Sequence, residues 1–189
     1  MIGANALFWI PIVREFTLLF GAVGADKRTF ECVLDHGDNV VVYPGGLDEA
    51  NEDTHIPEVK LRTRKGFVRL AVKKGVDVLP MFCFGELEAV QAWRPLPKAV
   101  SAVLRRTLRI STTLFVGRWN LFVPRRHPFD LCVGAPIPVA KHPDDTTQEH
   151  QDEVQRVYRA YVAEITTLYE TNKRRFGYDD RTLKLVESA

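Results

Sequence analysis

Two glycines followed by two acidic residues form the first pattern in the sequence that could do chemistry. Gly45 and Gly46 come after the apolar, Val-rich run at residues 39–43, and Asp48 and Glu49 come next. A glycine pair at the end of a buried strand lets a ligand approach the backbone closely, and either carboxylate could accept a hydrogen bond from a substrate hydroxyl. A plain strand-ending turn in which Asp48 caps a helix would have the same pattern, so the residues leave both interpretations open.

A cluster of cations at the start of a predicted helix forms the second pattern. The helix is predicted over residues 64–74, and its first turns contain Arg64, Lys65, Gly66 and Arg69. The helix macrodipole favours anions at this end, so cations are unfavourable there unless a bound phosphate joins them. The pattern predicts a phosphate site, for which coenzyme A is a suitable ligand, although a solvated charged turn is the alternative.

A basic and aromatic segment covers residues 89–129. It contains eight Lys or Arg residues, no Asp or Glu, and several interleaved aromatic residues. Such a composition is typical of surfaces that contact anionic membranes. The predicted membrane-contacting residues are Trp93, Arg105, Arg106, Arg109 and Trp119. A nucleic-acid patch and an ordinary charged surface are the alternatives, but the spacing of known nucleic-acid modules is missing and the formal net charge is only +2.

Several other kinds of site are not indicated by the sequence. There is no GxxxxGK[ST] phosphate loop and no GxSxG nucleophile turn. None of the histidines has a second His or Cys at metal-ligand spacing, so no metal site is predicted. All five are expected to be exposed loop residues: His36, His55, His127, His142 and His150. The three scattered cysteines indicate reduced thiols.

These residues must be positioned by an α/β domain. The chain has 189 residues, of which 46% are apolar, enough to form one core. The predicted strands lie at residues 39–43, 76–84, 114–123 and 131–134. The helix at 64–74 separates the first two, which predicts a parallel pair joined by a right-handed crossover. We therefore predict a mostly parallel central sheet flanked by helices. A long amphipathic C-terminal helix is predicted from a capping pattern at residues 146–149 to Phe176.

The beginning of the chain suggests that a segment is missing. Residues 7–10 are core-like and have no polar lead-in. The apolar start is interrupted by Pro11, Arg14 and Glu15, so it does not provide the roughly 20 apolar residues that a spanning helix needs. We expect one domain over residues 1–189, truncated at its N-terminus and without a membrane anchor of its own.

At several points the sequence resembles the type-2 diacylglycerol acyltransferase and monoacylglycerol acyltransferase family. The similar blocks are VVYPGGLDEA at residues 41–50, RKGFVRLA at 64–71, GVDVLP at 75–80, FGE at 84–86, VGAPIPV at 133–139, and YE to FG at 169–177. Each block alone is weak, but their common order covers nearly the whole chain. The segment at residues 12–15 is similar as well, and in the family this segment precedes a turn, which here would lie near Arg28. We therefore add Arg28 to the predicted substrate-binding residues.

The resemblance implies an acyltransferase of neutral glycerolipid synthesis. Members of the family transfer a fatty acyl group from acyl-CoA to a hydroxyl of a mono- or diacylglycerol, or sometimes of a long-chain alcohol or sterol. They act at the cytosolic face of the endoplasmic reticulum membrane or at lipid droplets. Acyl-CoA is thus expected as a substrate, the lipid alcohol and the membrane surface as partners, and neither a cofactor nor nucleic acid is expected.

The family's catalytic residue is not found in this sequence. Its general base is the histidine of a His-Pro-His-Gly motif, placed upstream of the similar blocks. This sequence has neither that motif nor a histidine followed five positions later by aspartate. We therefore assign no catalytic residue, and expect a gene-model fragment, a spliced form or a degenerate paralogue. The alternative function is a non-catalytic acyl-CoA-binding, lipid-binding or peripheral membrane module of the same fold.

Overall fold

Helices and short strands alternate along the chain. The computed structural model of the protein describes residues 2–3, 14–15, 18–19, 21, 23–24, 26–44, 58–89, 91–93, 95–97, 100–101, 114–121 and 123–187. The described helices are α1 (Lys27–Asp35), α2 (Gly66–Lys74), α3 (Glu86–Ala89) and α4 (Gln148–Asn172). The described strands are β1 (Ile2–Gly3), β2 (Val23–Gly24), β3 (Glu58–Thr63), β4 (Met81–Phe84), β5 (Gln91–Trp93), β6 (Leu114–Val116), β7 (Asp130–Val133) and β8 (Thr182–Glu187).

The long helix α4 is the centre of the hydrophobic core. Thr147 caps its start, because the Thr147 hydroxyl accepts a hydrogen bond of 3.2 Å from the His150 N–H. The buried apolar face consists of Val154, Val157, Tyr158, Tyr161, Ile165 and Tyr169. The predicted long C-terminal helix is confirmed, although it ends at Asn172 rather than at Phe176. No helix in the described part of the chain is both long and apolar enough to cross a membrane.

Helix α2 packs against α4 through one apolar face. Val68 and Val72 lie one turn apart on that face and are fully buried. Gly75 ends the helix in the left-handed conformation, with a φ of 71°, and its N–H donates to the Ala71 carbonyl at 2.7 Å. The helix predicted over residues 64–74 is thus confirmed to within two residues.

The prediction of a mostly parallel central sheet is wrong. Among the described residues, the strands form four two-stranded sheets, of which β1–β2 and β3–β8 are parallel and β4–β7 and β5–β6 are antiparallel. Residues 39–43 form no strand, and their predicted partner β4 pairs with β7 instead. The error has a physical cause: an apolar run indicates that a segment is buried, but it does not specify the neighbour to which its backbone groups bond.

An aromatic cluster joins β4 to the end of α4. The Phe84 ring stacks on those of Tyr169 and Phe176, with centroids 5.8 Å and 4.8 Å apart, and meets Tyr178 edge-on at 5.2 Å. Phe82 packs on the Tyr169 ring as well. The similar blocks at residues 84–86 and 169–177 therefore meet in space, where Phe84, Tyr169 and Phe176 contribute to the core.

Candidate functional site

The cationic start of α2 is positioned by strand β3. This strand pairs in parallel with β8 and ends at Thr63, which is buried. The Thr63 hydroxyl and the Tyr158 phenol lie 2.5 Å apart, so a hydrogen bond fixes the end of β3 to α4. A buried hydroxyl pair of this kind is costly to separate, so the turn at residues 64–65 is held in place.

Three cations surround the first turn of α2. Arg64 and Arg69 are exposed, as is Gly66 between them. Lys65 is half-buried, and its ammonium lies 4.9 Å from the centroid of the Tyr158 ring and 3.5 Å from Gln155 Oε1. The predicted basic cluster is thus brought together at one helix end, with Lys65 held against α4.

The start of α2 has the electrostatic character of an anion site. Lys65 occupies the N-cap position but makes no side-chain capping bond, and the first turn contains no acidic residue. The backbone N–H groups of a first turn have no partner within the helix, and the helix dipole adds positive potential there. A phosphate group could therefore accept hydrogen bonds from the backbone and form ion pairs with Arg64 and Arg69.

Arg28 lies on a different helix from the cationic cluster at the start of α2. It is an exposed residue in the first turn of α1. The ion pairs between the two helices lie at the C-terminal end of α2, where Lys73 meets Glu31 at 3.0 Å and Lys74 meets Asp35 at 2.6 Å. The four residues of the predicted glycine and acid turn, Gly45, Gly46, Asp48 and Glu49, lie outside the described residues.

The predicted membrane-contacting residues are only partly described. Trp93 in β5 and Trp119 after β6 are both exposed. Arg105, Arg106 and Arg109 lie outside the described residues. Exposed tryptophan rings are suited to the interface between water and lipid, because the ring is apolar and its N–H is polar.

The prediction that all the histidines are exposed loop residues is wrong for His150. His150 is buried in the first turn of α4, and its Nδ1–H donates to the His142 carbonyl at 2.8 Å. The signal was present in the sequence, because His150 precedes Val154 by four residues and so lies on the same helical face. His142 is half-buried, with its Nδ1 3.8 Å from Glu149 Oε2. The described residues contain no group of His, Cys, Asp and Glu side chains suited to holding a metal ion.

A partly buried polar network was not predicted from the sequence. The Tyr178 phenol donates to Glu88 Oε2 at 2.5 Å and accepts from the Gly85 N–H at 3.1 Å. Arg181 completes the network through an ion pair of 2.8 Å with Glu88. Burial, reinforced by the hydrogen bond to Glu88, raises the pKa of Tyr178 to about 12, so the phenol stays protonated.

The half-buried Cys83 is not a candidate nucleophile. Burial raises the pKa of its thiol to about 11, and the neighbouring Glu86 and Asp130 carboxylates act in the same direction. The reactive form of cysteine is the thiolate, which is therefore scarce at neutral pH.

Comparison with known proteins gives consistent matches along the chain. A family model described as diacylglycerol acyltransferase matches residues 1–186. The mouse protein diacylglycerol O-acyltransferase 2-like protein 6 is 30% identical over 191 residues, which cover 92% of this chain and 55% of that protein. Diacylglycerol O-acyltransferase 1 of Eremothecium gossypii is 29% identical, over 95% of this chain and 41% of its own length.

One further relative is named for a wax alcohol, rather than a diacylglycerol, as the acceptor of the acyl group. The human acyl-CoA wax alcohol acyltransferase 2 is 27% identical, over 93% of this chain and 56% of its own length. The chain thus spans about half the length of the curated relatives it matches. No solved structure matches it.

Proposed function

Because the chain belongs to the diacylglycerol acyltransferase family, we propose that it takes part in the transfer of a fatty acyl group from acyl-CoA to a hydroxyl of a mono- or diacylglycerol. In this reaction the acceptor oxygen attacks the thioester carbon and the carbon–sulfur bond breaks. The hydroxyl proton passes through a general base and ends on the sulfur of the departing coenzyme A. The products are a neutral glycerolipid and free coenzyme A.

The start of α2 carries this proposal, as the place where the phosphates of the donor bind. It combines an uncapped helix N-terminus with the exposed side chains of Arg64 and Arg69 and with Lys65. Arg–phosphate contacts are charge-assisted and often bidentate, which suits a ligand with several phosphate groups. In the proposal, Gly66 lets the ligand approach the backbone. That Gly45, Gly46, Asp48, Glu49 and Arg28 also bind substrate stays a prediction from the sequence.

The general base is not assigned to any residue of this chain. The motif that resemblance to the family implies, His-Pro-His-Gly, is absent from the sequence. A second candidate function is that the chain binds acyl-CoA or lipid without catalysing transfer. General-base help is worth about 10²–10⁴-fold in rate, so an assay of acyl transfer to diacylglycerol separates the two functions.

The proposed function includes contact with a membrane. We place the chain at the cytosolic face of the endoplasmic reticulum membrane or on a lipid droplet, where its lipid acceptor is dissolved. Exposed Trp93 and Trp119 support this contact. The arginines of the same basic segment, Arg105, Arg106 and Arg109, are proposed to contact anionic headgroups.

Binding of oleoyl-CoA to the purified chain tests the phosphate site. We expect the double variant Arg64→Ala with Arg69→Ala to bind about tenfold or more weakly in calorimetry, because two charge-assisted contacts are lost. The difference between the variant and the parent chain should shrink as salt is added, since salt screens exposed charges. Adding Lys65→Ala should weaken binding further.

The matched control removes two exposed cations that belong to no predicted site, by Lys141→Ala with Arg175→Ala. It lowers the net charge equally but leaves the start of α2 unchanged. Equal losses in the two double variants would show that only the overall charge matters. Unchanged affinity in the α2 variant would remove the phosphate assignment.

A further inference from the structure

The outer face of the β4–β7 sheet is apolar and exposed. The antiparallel register pairs Met81 with Val133 and Cys83 with Leu131, so these four side chains share one face. Leu131 and Val133 are 56% and 53% exposed. A two-stranded antiparallel sheet with one buried face normally presents polar side chains on its other face. This sheet does not.

The opposite face of the same sheet already has its partner. Phe82 and Phe84 point towards the core and pack on Tyr169 of α4. The outer face continues the apolar character beyond the strands, because Phe129 lies two residues before Leu131 and is 60% exposed. Leu79, two residues before Met81, is exposed too. The apolar side chains of the outer face are therefore left for a partner outside the described fold.

A tight loop carries a second apolar feature on the same stretch of chain. Two backbone bonds close it, from the Gly117 N–H to the Leu121 carbonyl at 2.8 Å and from the Arg118 N–H to the Val123 carbonyl at 2.7 Å. Trp119 lies between them in the left-handed region, with a φ of 56°, and is 72% exposed. This conformation is rare and strained for a bulky residue, and it holds the ring away from the protein surface.

Positive charge accompanies both apolar features. The Arg118 guanidinium lies 4.3 Å from the centroid of the Trp119 ring, while Arg125 and Arg126 are exposed between the loop and β7. Between residues 89 and 129 the sequence contains no acidic residue. Two carboxylates, Glu86 and Asp130, also lie near Cys83 on the sheet face. Apolar side chains accompanied by three arginines complement an anionic lipid surface, whose headgroups attract the cations while its interface accepts the rings.

We propose that the outer face of the β4–β7 sheet and the Trp119 loop together form one lipid-contacting surface, which lies on an anionic phospholipid bilayer. The inference rests on the membrane contact in the proposed function. It extends this contact to Phe129, the last residue of the basic and aromatic segment, and to Leu131 and Val133, which belong to no predicted site. The Trp119 ring enters the interface, and the sheet face covers the lipid beside it. The occupant is therefore a lipid surface rather than a second protein.

Vesicle co-sedimentation of the full chain tests the proposal, with vesicles of equal parts phosphatidylcholine and phosphatidylserine. Leu131→Glu with Val133→Glu should lower the partition coefficient at least about tenfold, because two apolar contacts are replaced by charges repelled by the lipid. Trp119→Ala should lower it as well. Pure phosphatidylcholine vesicles should bind the parent chain more weakly. The control is Val41→Glu, an exposed valine outside both features, which should bind like the parent.

Circular dichroism first establishes that the variants fold. If the glutamate pair unfolds the chain, Leu131→Thr with Val133→Thr keeps strand-favouring residues while removing apolar surface, and it should also reduce vesicle binding. Binding unchanged in the folded variants overturns the proposal. So does a parent chain that is dimeric in sedimentation and becomes monomeric in the variants while vesicle binding persists, since the face would then join two copies.

The same variants separate this inference from the phosphate site. Oleoyl-CoA affinity, measured below the concentration at which it forms micelles, should be unchanged when Leu131 and Val133 are replaced. Conversely, Arg64→Ala with Arg69→Ala should leave vesicle binding close to that of the parent. A folded variant that keeps the one activity it is expected to lose therefore identifies which of the two proposals fails.

Discussion

Gly85 occupies the position in the β4–α3 turn where the backbone has the least room for a side chain. Its φ is +88°, and a Cβ atom built there would lie 2.0 Å from the Pro128 carbonyl oxygen. Its N–H also donates to the Tyr178 phenol. A larger residue must therefore move either the segment at residues 127–128 or the Tyr178 network.

We predict that Gly85→Ala lowers the free energy of unfolding by about 3 kcal/mol or more, because a backbone clash adds to the strain of a positive φ. Urea unfolding measures the effect. The control is Gly37→Ala, where φ is +82° but no atom lies within 4 Å of the added Cβ. The control should lose only about 1 kcal/mol, the cost of the left-handed conformation itself. Equal losses at the two glycines would mean that the chain relieves the clash.

Single residues also show where sequence reasoning reaches its limit. The cations at the start of α2 could be found from residue types, because a helix start is recognisable and its charge preference is known. The support of Lys65 by Gln155 and Tyr158 could not, because these residues are about ninety positions away and meet Lys65 only in the folded chain. Trp119 could be identified as aromatic, but nothing in its sequence context predicted a positive φ.

The helices were more predictable than the strands. Helix α4 has a repeating apolar stripe, a capping residue at Thr147 and a glycine after its end, all of which are local signals. Strands β3 to β8 are only three to six residues long. A short apolar run does not specify the strand with which it pairs. The strand predicted over residues 114–123 illustrates this: among its described residues, 114–116 form a strand, and Gly117 then begins the tight loop.

A carboxylate on α4 fastens the helix to the segment that follows β7. Glu153 accepts a hydrogen bond of 2.9 Å from the Ala140 N–H and two of 2.7 Å from Arg156. Arg156 in turn donates to the Pro138 carbonyl at 2.6 Å. These bonds, above all those from Arg156, lower the pKa of Glu153 from about 4.5 to about 2.

We predict that Glu153→Gln makes folding stability less sensitive to acid. A carboxylate with a lowered pKa in the folded state stabilises it above about pH 4.5, and this stabilisation is lost as pH falls towards about 2. The variant should be less stable at neutral pH by about 1 kcal/mol and should show a flatter profile over that interval. Thermal unfolding at a series of pH values measures it.

The control for this prediction is Glu170→Gln on the same helix. Glu170 pairs with Lys173 at 2.5 Å, but its side chain is half exposed. An exposed pair contributes little to stability, so this variant should keep the acid dependence of the parent. An identical change in both variants would show that the acid sensitivity arises elsewhere.

At the scale of the whole molecule, two distant parts of the chain meet beside the candidate site. Strand β3 leads directly into the start of α2, and its described partner is β8 near the C-terminal end of the chain. Val59 and Leu183 pair in register and both pack against the core. The position of the cationic cluster therefore depends on residues that contribute no charge to it.

We predict that breaking the β3–β8 ladder weakens oleoyl-CoA binding without altering any residue of the site. In a two-stranded sheet, every second N–H group of a strand points towards its partner. Of two neighbouring residues, one must therefore donate to β3, so Lys184→Pro with Leu185→Pro removes one hydrogen bond between the strands. The chain should lose about 2 kcal/mol more stability than with the alanine pair, which keeps both N–H groups. Hydrogen exchange at residues 59–61 and calorimetry measure the two effects. Equal affinity for the proline and alanine pairs would show that the site is positioned without β8.

The pairing of β3 with β8 also orders events during synthesis of the protein. The ribosome adds β8 more than a hundred residues after β3. At usual elongation rates this is a delay on the order of ten seconds. Throughout that interval the nascent chain displays an open strand edge beside the basic turn. During this delay a chaperone can bind the unpaired edge of β3, or the edge can pair wrongly with another nascent chain on the same messenger RNA.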